Sequence, residues 1–174
     1  MARAIAYLGL GGNLGDVPET FRRVLADFEA AGHGVLAVAS LYRSKALKPP
    51  GCTTPSPDYW NTACKIETTL SPQALLAYAL ALEKSYGRTR ETRWADRTVD
   101  IDILLYGDLE LNEEGLTIPH PEITKRPFVV APLAELDQSL EIPGFGDVRT
   151  LPSATSDSDV QALSVGRKWS QGAM

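Results

Sequence analysis

The chain has 174 residues and a mass of 18.8 kDa, which suits one domain large enough to bury a core. Hydrophobic residues make up 44% and charged residues 22%, as in an ordinary soluble globular protein. The net charge of −5 and the pI of about 5.1 argue against a nucleic-acid backbone or an anionic membrane as the main partner.

The two cysteines, Cys52 and Cys64, lack the spacing of metal ligands. One cysteine in a predicted loop and one in a predicted strand do not make a disulfide framework, so we predict free thiols in a reducing compartment. The apolar run at the start is too short for a signal peptide, and no run approaches the roughly 20 residues that span a bilayer. We therefore expect a cytoplasmic protein.

The first part of the chain predicts a strand, a helix and a second strand. Residues 4–10 are apolar and end in a Gly-rich turn, the pattern of a buried strand. Apolar residues recur at helical spacing between residues 18 and 31, and Asp16 is placed to cap that helix. Residues 35–42 predict the second strand. The Pro-rich residues 45–58 predict a long irregular loop, which in a small domain is more often functional than idle.

The rest of the chain continues the alternation of strands and helices. Residues 61–68 predict a strand, residues 71–86 a helix and residues 99–106 another strand. A short strand at residues 116–118 and a short helix at residues 127–136 follow. No internal repeat is visible.

This order of elements predicts the fold class and the domain limits. Strand, helix, strand, strand, helix, strand is the order of an α+β, ferredoxin-like βαββαβ antiparallel sheet with helices packed on one face. A small C-terminal appendage follows it. We assign residues 1–150 to one domain, and the Ser-, Asp- and Gly-rich residues 151–174 predict a loosely ordered tail.

Two acids carry the clearest chemical signal. Asp100 and Asp102 are two residues apart on a predicted strand, so both carboxylates project from the same face of the sheet. Their backbones lie roughly 6–7 Å apart, which suits joint coordination of one or two hard cations. Magnesium prefers oxygen ligands and commonly takes the remaining ones from water and substrate phosphates. An Asp-x-Asp pair alone, however, more often has no metal role.

Four arginines precede the acid pair within ten residues, namely Arg88, Arg90, Arg93 and Arg97. Planar guanidinium donors match phosphate oxygens, although such a loop could also be a solvated surface balanced by Glu91 and Asp96. Two acids on an otherwise apolar strand are unfavourable when they are buried without a partner. Acids and arginines together predict transfer from a nucleoside triphosphate, with a metal to orient it and arginines to hold it.

Two further motifs suggest contacts to substrates. Pro119-His120-Pro121 restricts the backbone of a histidine and would present its imidazole to a phosphate, although such a turn is more often structural. Tyr59 and Asn61 begin a predicted strand. An aromatic face and a side-chain amide suit a flat heterocycle with donors and acceptors. The alternative is that Tyr59 belongs to the core and that Asn61 caps the loop.

In this order and spacing, the motifs resemble the 6-hydroxymethyl-7,8-dihydropterin pyrophosphokinase family. The resemblance covers roughly residues 4–143, and its most specific part is the Arg-Trp-x-x-Arg-Thr-x-Asp-x-Asp run at residues 93–102. The other matching pieces are Leu8-Gly-Leu-Gly-Gly-Asn13, Ser40-Leu-Tyr-Arg-Ser44, Tyr59-Trp-Asn61, Glu83 with Gly87-Arg88-Thr-Arg90, Pro119-His120-Pro and Arg126-Pro-Phe128.

The resemblance implies transfer of pyrophosphate from ATP to the hydroxymethyl group of 6-hydroxymethyl-7,8-dihydropterin, with release of AMP, in folate biosynthesis. It implies that Asp100 and Asp102 bind two magnesium ions and act in catalysis together with Arg88 and Arg97. The residues implied on the ATP side are Arg88, Arg90, Arg93, Arg97, Ile103, Thr117, His120 and Arg126. Those implied on the pterin side are Ser44, Leu47, Tyr59, Asn61, Trp94 and Phe128, with Tyr59 and Phe128 on the two faces of the ring.

Two other classes of function share parts of this pattern. A ferredoxin-like RNA-binding module has the same order of elements, but the acidic pI and the Asp-Ile-Asp strand argue against it. A regulatory nucleotide-binding protein without turnover would keep the pocket, and AMP release would distinguish it from an enzyme. We expect small-molecule substrates, a monomer, and neither a nucleic-acid nor a membrane partner.

Overall fold

The computed structural model describes residues 3–44, 59–87, 99–121, 123, 127–137, 139–148 and 161–164, with the backbone alone at residues 44, 127, 128 and 161–164. The predicted loop 45–58 and the arginine segment 88–97 lie outside the described residues. Cys64 is a buried free thiol, as predicted, and Cys52 lies outside the described residues. No helix in the described part of the chain is long and apolar enough to cross a membrane.

The elements follow in the order strand, helix, strand, strand, strand, helix, strand, and then a set of short strands around a third helix. In chain order they are β1 (Ala4–Gly12), α1 (Val17–Ala30), β2 (Gly34–Val38), β3 (Leu41–Ser44), β4 (Tyr59–Thr68), α2 (Pro72–Ser85), β5 (Asp100–Tyr106), β6 (Leu111–Glu113), β7 (Leu116–Ile118), α3 (Pro127–Leu136), β8 (Glu141–Ile142), β9 (Gly146–Asp147) and β10 (Gln161–Ser164).

The main sheet is antiparallel and has the strand order β10–β3–β4–β1–β5, with β2 also paired to β4. β1 therefore lies between β4 and β5. In the part of the chain that the structure describes, β5 forms an edge of this sheet. The predicted mixture of helices with an antiparallel sheet is confirmed.

The prediction of one strand over residues 35–42 is wrong. The structure divides this segment at Ala39 and Ser40 into β2 and β3, and both strands pair with β4. The reason is a tertiary contact, because the backbone N–H and the hydroxyl of Ser40 both donate to Glu135 Oε2, at 2.9 and 2.8 Å. The N–H of Ser40 thus donates to a side chain of α3, whereas the N–H of a paired strand residue would donate to a backbone carbonyl of the neighbouring strand.

The first two helices begin where their sequence signals predict. Asp16 Oδ1 accepts a hydrogen bond from the N–H of Glu19 at 3.3 Å. Ser71 Oγ accepts one from the N–H of Ala74 at 3.1 Å. Such caps satisfy N–H groups that have no partner inside the helix. Gly87 follows α2 with a φ of 88°, a left-handed conformation that ends the helix and that glycine adopts without strain.

Helices cover both faces of the main sheet. The two helices of the predicted βαββαβ order share one face, as expected, and the later helix α3 adds a layer on the other face. α1 and α2 bury one face, where Phe21, Phe28 and Leu75 form a core with apolar residues of β1, β4 and β5. α3 has the predicted bounds but covers the opposite face, where Val130 and Leu133 pack against the alternate residues of the same strands. Successive side chains of a strand point to opposite faces, so each central strand contributes to both cores.

Part of the predicted tail belongs to the main sheet. β10 lies within residues 151–174 and pairs with β3, with Gln161 opposite Arg43 and Ala162 opposite Tyr42. The expectation of a loosely ordered tail does not hold for this strand, and the rest of the tail lies outside the described residues. The sequence pattern did not predict β6, β8, β9 or β10, because strands of two to four residues are too short to show alternation.

Candidate active site

The register of the main sheet brings the predicted acids and Asn61 to one place. Gly11 of β1 pairs with Asn61 of β4 on one side and with Asp100 of β5 on the other, which makes one row across three strands. Gly9 pairs with Asp102 two positions along. Residues two apart on a strand share a face, so the acids and the amide rise from the face opposite α1 and α2.

The two acids share this face, as their spacing predicts, but they differ in exposure. Asp100 is 9% exposed, whereas the side chain of Asp102 is 47% exposed. Ile101 and Ile103 point to the core under α1 and α2 and are 2% and 4% exposed. The side chain of Ile103 is therefore part of the core and not beside the acids, which leaves its backbone for any contact with a nucleotide.

Tyr59 lies next to Gly11 and contacts the buried acid. Its hydroxyl donates a hydrogen bond to Asp100 Oδ2 at 2.6 Å. A Cβ atom at Gly11 would lie 2.8 Å from Tyr59 Cε1 and 3.0 Å from Asn61 Oδ1, too close for the ring to stay in place. Glycine is thus required where the ring approaches the backbone, and β1 continues through the glycines that predicted a turn.

Asn61 presents an amide to the same site. The residue is 6% exposed, and its Nδ2 atom has no hydrogen-bond partner among the described residues. A buried donor without an acceptor costs about 1–3 kcal/mol. A ligand atom that accepts a hydrogen bond from Asn61 Nδ2 would offset this cost.

His120 reaches the second acid from the end of β7. Its Nε2 atom lies 4.0 Å from Asp102 Oδ1, and its side chain is 21% exposed. The backbone N–H of His120 donates to the carbonyl oxygen of Leu104 at 3.0 Å, which ties the turn after β7 to β5. The peptide bond between Ile118 and Pro119 is cis. The Pro-His-Pro turn thus brings an imidazole beside the acid pair.

Glu83 supports the strand that carries the acids. This α2 residue is 2% exposed, and its Oε2 atom accepts a hydrogen bond from the N–H of Ile101 at 2.8 Å. Ile101 lies between the two acids on the edge strand β5. Its N–H faces away from β1, and the carboxylate of Glu83 supplies the acceptor that a further strand would otherwise provide. The sequence motif assigns Glu83 no such role. A signal was present, because Leu75, Ala79 and Glu83 follow one another at helical spacing on the buried face of α2.

Glu135 of α3 holds the neighbouring strand in a similar way. Tyr42 of β3 pairs with Asn61, and its hydroxyl donates to Glu135 Oε1 at 2.7 Å. Burial and the hydrogen bond to Glu135 raise the pKa of Tyr42 well above its ordinary value of 10.0. Because Ser40 binds the other carboxylate oxygen, Glu135 attaches α3 both to the bend between β2 and β3 and to β3 itself. The sequence pattern assigns no role to Glu135.

Three further predicted residues lie on β7, β3 and α3. Thr117 lies on β7, and its hydroxyl donates to Asn112 Oδ1 at 3.4 Å across the β6–β7 pair. Ser44 ends β3 opposite Tyr59, and Phe128 lies in the first turn of α3. The predicted residues outside the described part of the chain are Leu47, Arg88, Arg90, Arg93, Trp94, Arg97 and Arg126.

The two acids offer carboxylate oxygen atoms as metal ligands. No group of three or more His, Cys, Asp and Glu side chains among the described residues could hold a metal. Asp100 and Asp102 alone supply too few ligands for a cage made only of protein. This set fits magnesium, which commonly completes its shell with water and substrate phosphates, and does not fit a structural zinc site with four nitrogen or sulfur ligands.

An α+β domain with two acids on its sheet agrees with the class of the proteins that this chain resembles in sequence, the pyrophosphokinases. The model of the family described as 7,8-dihydro-6-hydroxymethylpterin-pyrophosphokinase (HPPK) matches residues 7–138. The chain belongs to this family, as predicted.

Curated relatives carry the name 2-amino-4-hydroxy-6-hydroxymethyldihydropteridine pyrophosphokinase. The relative from Synechocystis is 43% identical over 132 residues, which are 75% of this chain and 65% of the relative. The relative from Haemophilus influenzae is 41% identical over 153 residues, 87% of this chain and 93% of the relative. The relative from Bacillus subtilis is 40% identical over 138 residues, 79% of this chain and 80% of the relative. The predicted pyrophosphokinase function is confirmed at the level of the family.

Solved structures agree on the fold. The crystal structure of Plasmodium falciparum HPPK-DHPS with pteroate has a TM-score of 0.66 at 14% identity, over 86% of this chain and 42% of that one. A structure of HPPK-DHPS in complex with substrates has a TM-score of 0.67 at 12% identity, over 88% of this chain and 43% of that one. The chain thus spans less than half the length of these two proteins, and at such identities the likeness concerns the fold alone.

Proposed function

We propose that the chain transfers pyrophosphate from ATP to the hydroxymethyl group of 6-hydroxymethyl-7,8-dihydropterin in folate biosynthesis. The hydroxymethyl oxygen attacks the β-phosphorus, the bond from that phosphorus to the oxygen of the α-phosphate breaks, AMP leaves, and the hydroxyl proton passes to solvent. The observation that carries the proposal is the row in which Gly11 separates Asn61 from Asp100. In a chain of the HPPK family, this row places Asn61, whose amide suits a heterocycle, near Asp100, whose carboxylate suits a cation bound to a triphosphate.

The acids and His120 form the triphosphate side of the proposed site. Magnesium, when bound, would neutralise and orient the triphosphate. Asp100 and Asp102 are the residues that would hold the metal, and we predict two magnesium ions. His120 Nε2, 4.0 Å from Asp102 Oδ1, is close enough to donate to a phosphate oxygen beside the acids. The further proposed contacts to phosphate and nucleotide are Arg88, Arg90, Arg93, Arg97, Arg126, Thr117 and the backbone of Ile103.

Asn61 and Tyr59 form the described part of the pterin side. Asn61 Nδ2, which lacks a partner among the described residues, would donate to an acceptor on the pterin ring. The ring of Tyr59 lies against Gly11 and offers an aromatic surface for stacking. Ser44, Leu47, Trp94 and Phe128 complete the proposed pocket, with Phe128 on the other face of the pterin.

Positioning and electrostatic stabilisation account for the proposed catalysis. Phosphoryl-type transfer asks little covalent chemistry of the protein, so the gain comes from holding two substrates in line and from neutralising charge. We therefore assign no general base. Arg88 and Arg97 are the proposed catalytic partners of Asp100 and Asp102, because guanidinium groups can hold the charge that develops on the transferred group.

Calorimetric titration of the pterin into the full chain tests this proposal. We expect tight pterin binding that requires both magnesium and a non-hydrolysable ATP analogue. Without pterin binding under any condition, the acids would serve a nucleotide site with another acceptor, and the proposal would fail.

AMP release separates an enzyme from a regulatory nucleotide-binding protein. With ATP and magnesium, we expect AMP to accumulate only when the pterin is present. Pterin and nucleotide binding without AMP release would favour the regulatory function instead.

Asn61→Ala should weaken pterin binding more than nucleotide binding, because the amide lies on the pterin side.

The predicted monomer, the cytoplasmic location and the absence of nucleic-acid and membrane partners remain predictions. The expected absence of nucleic-acid and anionic-membrane partners rests on the acidic pI of about 5.1. Light scattering after size exclusion tests the predicted monomer, and we expect a mass near the 18.8 kDa of the chain.

A further inference from the structure

One hydrogen bond joins the two sides of the proposed site. Tyr59 Oη donates to Asp100 Oδ2 at 2.6 Å, a length typical of a hydroxyl bound to a carboxylate. Tyr59 belongs to β4, two residues before Asn61, and Asp100 belongs to β5, with β1 between the two strands. The bond therefore crosses β1 beside Gly11, from the pterin side to the cation side.

The surroundings of Asp100 explain why such a donor matters. The residue is 9% exposed, and a carboxylate removed from water needs hydrogen bonds or charged partners. Asp102 keeps more contact with water, since 47% of its side chain is exposed. A fixed donor on Asp100 Oδ2 restricts rotation of the carboxylate, so its other lone pairs have a set direction before a cation arrives.

We propose that Tyr59 is a positioning residue whose hydroxyl orients Asp100 for a complex of a divalent cation with nucleotide, and that it thereby couples cation binding to pterin binding. This inference rests on the proposed function. A heterocycle stacked on the ring of Tyr59 restricts the ring, and the restricted ring holds the hydroxyl on Asp100. Coupling between two sites is reciprocal, so the bound cation and nucleotide strengthen pterin binding by the same factor.

The variant Tyr59→Phe separates the hydroxyl from the ring. The full chain is titrated with Mn²⁺, followed by its EPR signal, in the presence of a non-hydrolysable ATP analogue and with or without the pterin. In the wild type we expect the pterin to tighten Mn²⁺ binding about fivefold or more. In Tyr59→Phe we expect Mn²⁺ binding without pterin to weaken about tenfold, the usual effect of a lost hydrogen bond to a charged group, and the pterin to have almost no further effect.

Tyr86→Phe is the matched control. Tyr86 Oη donates to Asp27 Oδ2 at the same distance, 2.6 Å, and joins the end of α2 to α1. This variant loses the same kind of bond away from the acid pair, so we expect wild-type Mn²⁺ affinity and wild-type coupling. A loss as large as in Tyr59→Phe would overturn the inference, because a general loosening of the fold would then explain both.

Gly11→Ala disturbs the same bond without removing the hydroxyl. Its Cβ would lie 2.8 Å from Tyr59 Cε1, so the ring must shift, and we expect the disturbed bond to weaken Mn²⁺ binding without pterin here too. Unchanged or tighter Mn²⁺ binding in Tyr59→Phe, or a wild type that binds the pterin without coupling, overturns the inference. A wild type that binds no pterin in the presence of Mn²⁺ and nucleotide overturns the proposed function instead.

Discussion

The two faces of the main sheet are built from the same three strands, yet only one of them carries a row of polar side chains beside its apolar core. Under α1 and α2, the strands contribute Leu10, Ile66 and Ile101, each no more than 2% exposed, to a closed apolar core.

On the opposite face, Tyr7, Ala63 and Leu104 of the same strands pack with α3. Farther along these strands, the amide of Asn61, a glycine and the carboxylate of Asp100 form a polar row. Among the described residues, that amide has a buried donor without an acceptor.

The difference follows from what each face must do. An apolar face gains stability in proportion to the area that it removes from water, and it needs no further partner. A polar row gains little until a ligand supplies the missing hydrogen bonds and charges. Changes in the core under α1 and α2 should therefore affect unfolding, and changes in the polar row should affect binding and turnover.

The largest expected effect comes from the core face. Phe21 is 0% exposed, and Phe21→Ala should lower the free energy of unfolding by about 3–5 kcal/mol through lost burial and the cavity that remains. Urea unfolding measures this loss. The fraction that stays folded should bind nucleotide with wild-type affinity, and a parallel loss of affinity would mean that the two faces are not independent.

The next effect falls on turnover. Asp102→Ala removes an acid whose side chain is 47% exposed, so the free energy of unfolding should change by less than about 0.5 kcal/mol. The value of kcat/KM, followed by AMP release, should fall on the order of 10²–10³-fold through lost electrostatic stabilisation. Asp108→Ala changes an exposed acid in the turn after β5 and should keep the wild-type rate. Near-normal turnover in Asp102→Ala would contradict the metal assignment.

A smaller effect should appear at Glu83, the α2 residue that supports the strand of the two acids. Glu83→Ala leaves the N–H of Ile101 without its acceptor, which should cost about 1–3 kcal/mol in urea unfolding. It should also weaken Mn²⁺ binding, because the strand that carries both acids loses its support. Glu83→Gln keeps an oxygen acceptor and should restore most of the stability. If the glutamine variant is as unstable as the alanine variant, the hydrogen bond does not explain the role of Glu83.

The smallest expected effect is a pH dependence on the core face. His33 is 7% exposed, its Nδ1 atom lies 2.9 Å from Thr68 Oγ1, and burial, with a lesser contribution from Arg3, lowers its pKa below 6.5. The fold therefore favours the neutral imidazole. Its contribution to stability is complete above pH 6.5 and declines as the pH falls through the lowered pKa.

Urea unfolding of wild type and His33→Gln, each at about pH 7.5 and about pH 5, measures this contribution. Other groups titrate in both proteins, so the difference between them isolates His33. We expect the wild type to lose more stability than the variant on acidification. Equal losses would contradict a role for this imidazole.

Local signals in the sequence predicted most of the regular structure. The caps at Asp16 and Ser71 and the helical spacing of apolar residues act within a few positions of one another, so they hold in any context that keeps the helix. The common face of Asp100 and Asp102 follows from strand alternation in the same way. Contacts between distant residues could not be predicted like this. Ser40 meets Glu135 across 95 positions, and that contact divides a segment that predicts one strand.

The sequence alone determined the helices, the central strands, the acid pair and the family, because each depends on short-range spacing or on a motif. Only the tertiary structure decided that α3 covers the second face, that β10 joins the sheet, and that the hydroxyl of Tyr59 reaches Asp100 across 41 positions. These features depend on the register between strands, and register is set by packing and pairing over the whole sheet and not by the preferences of any one segment.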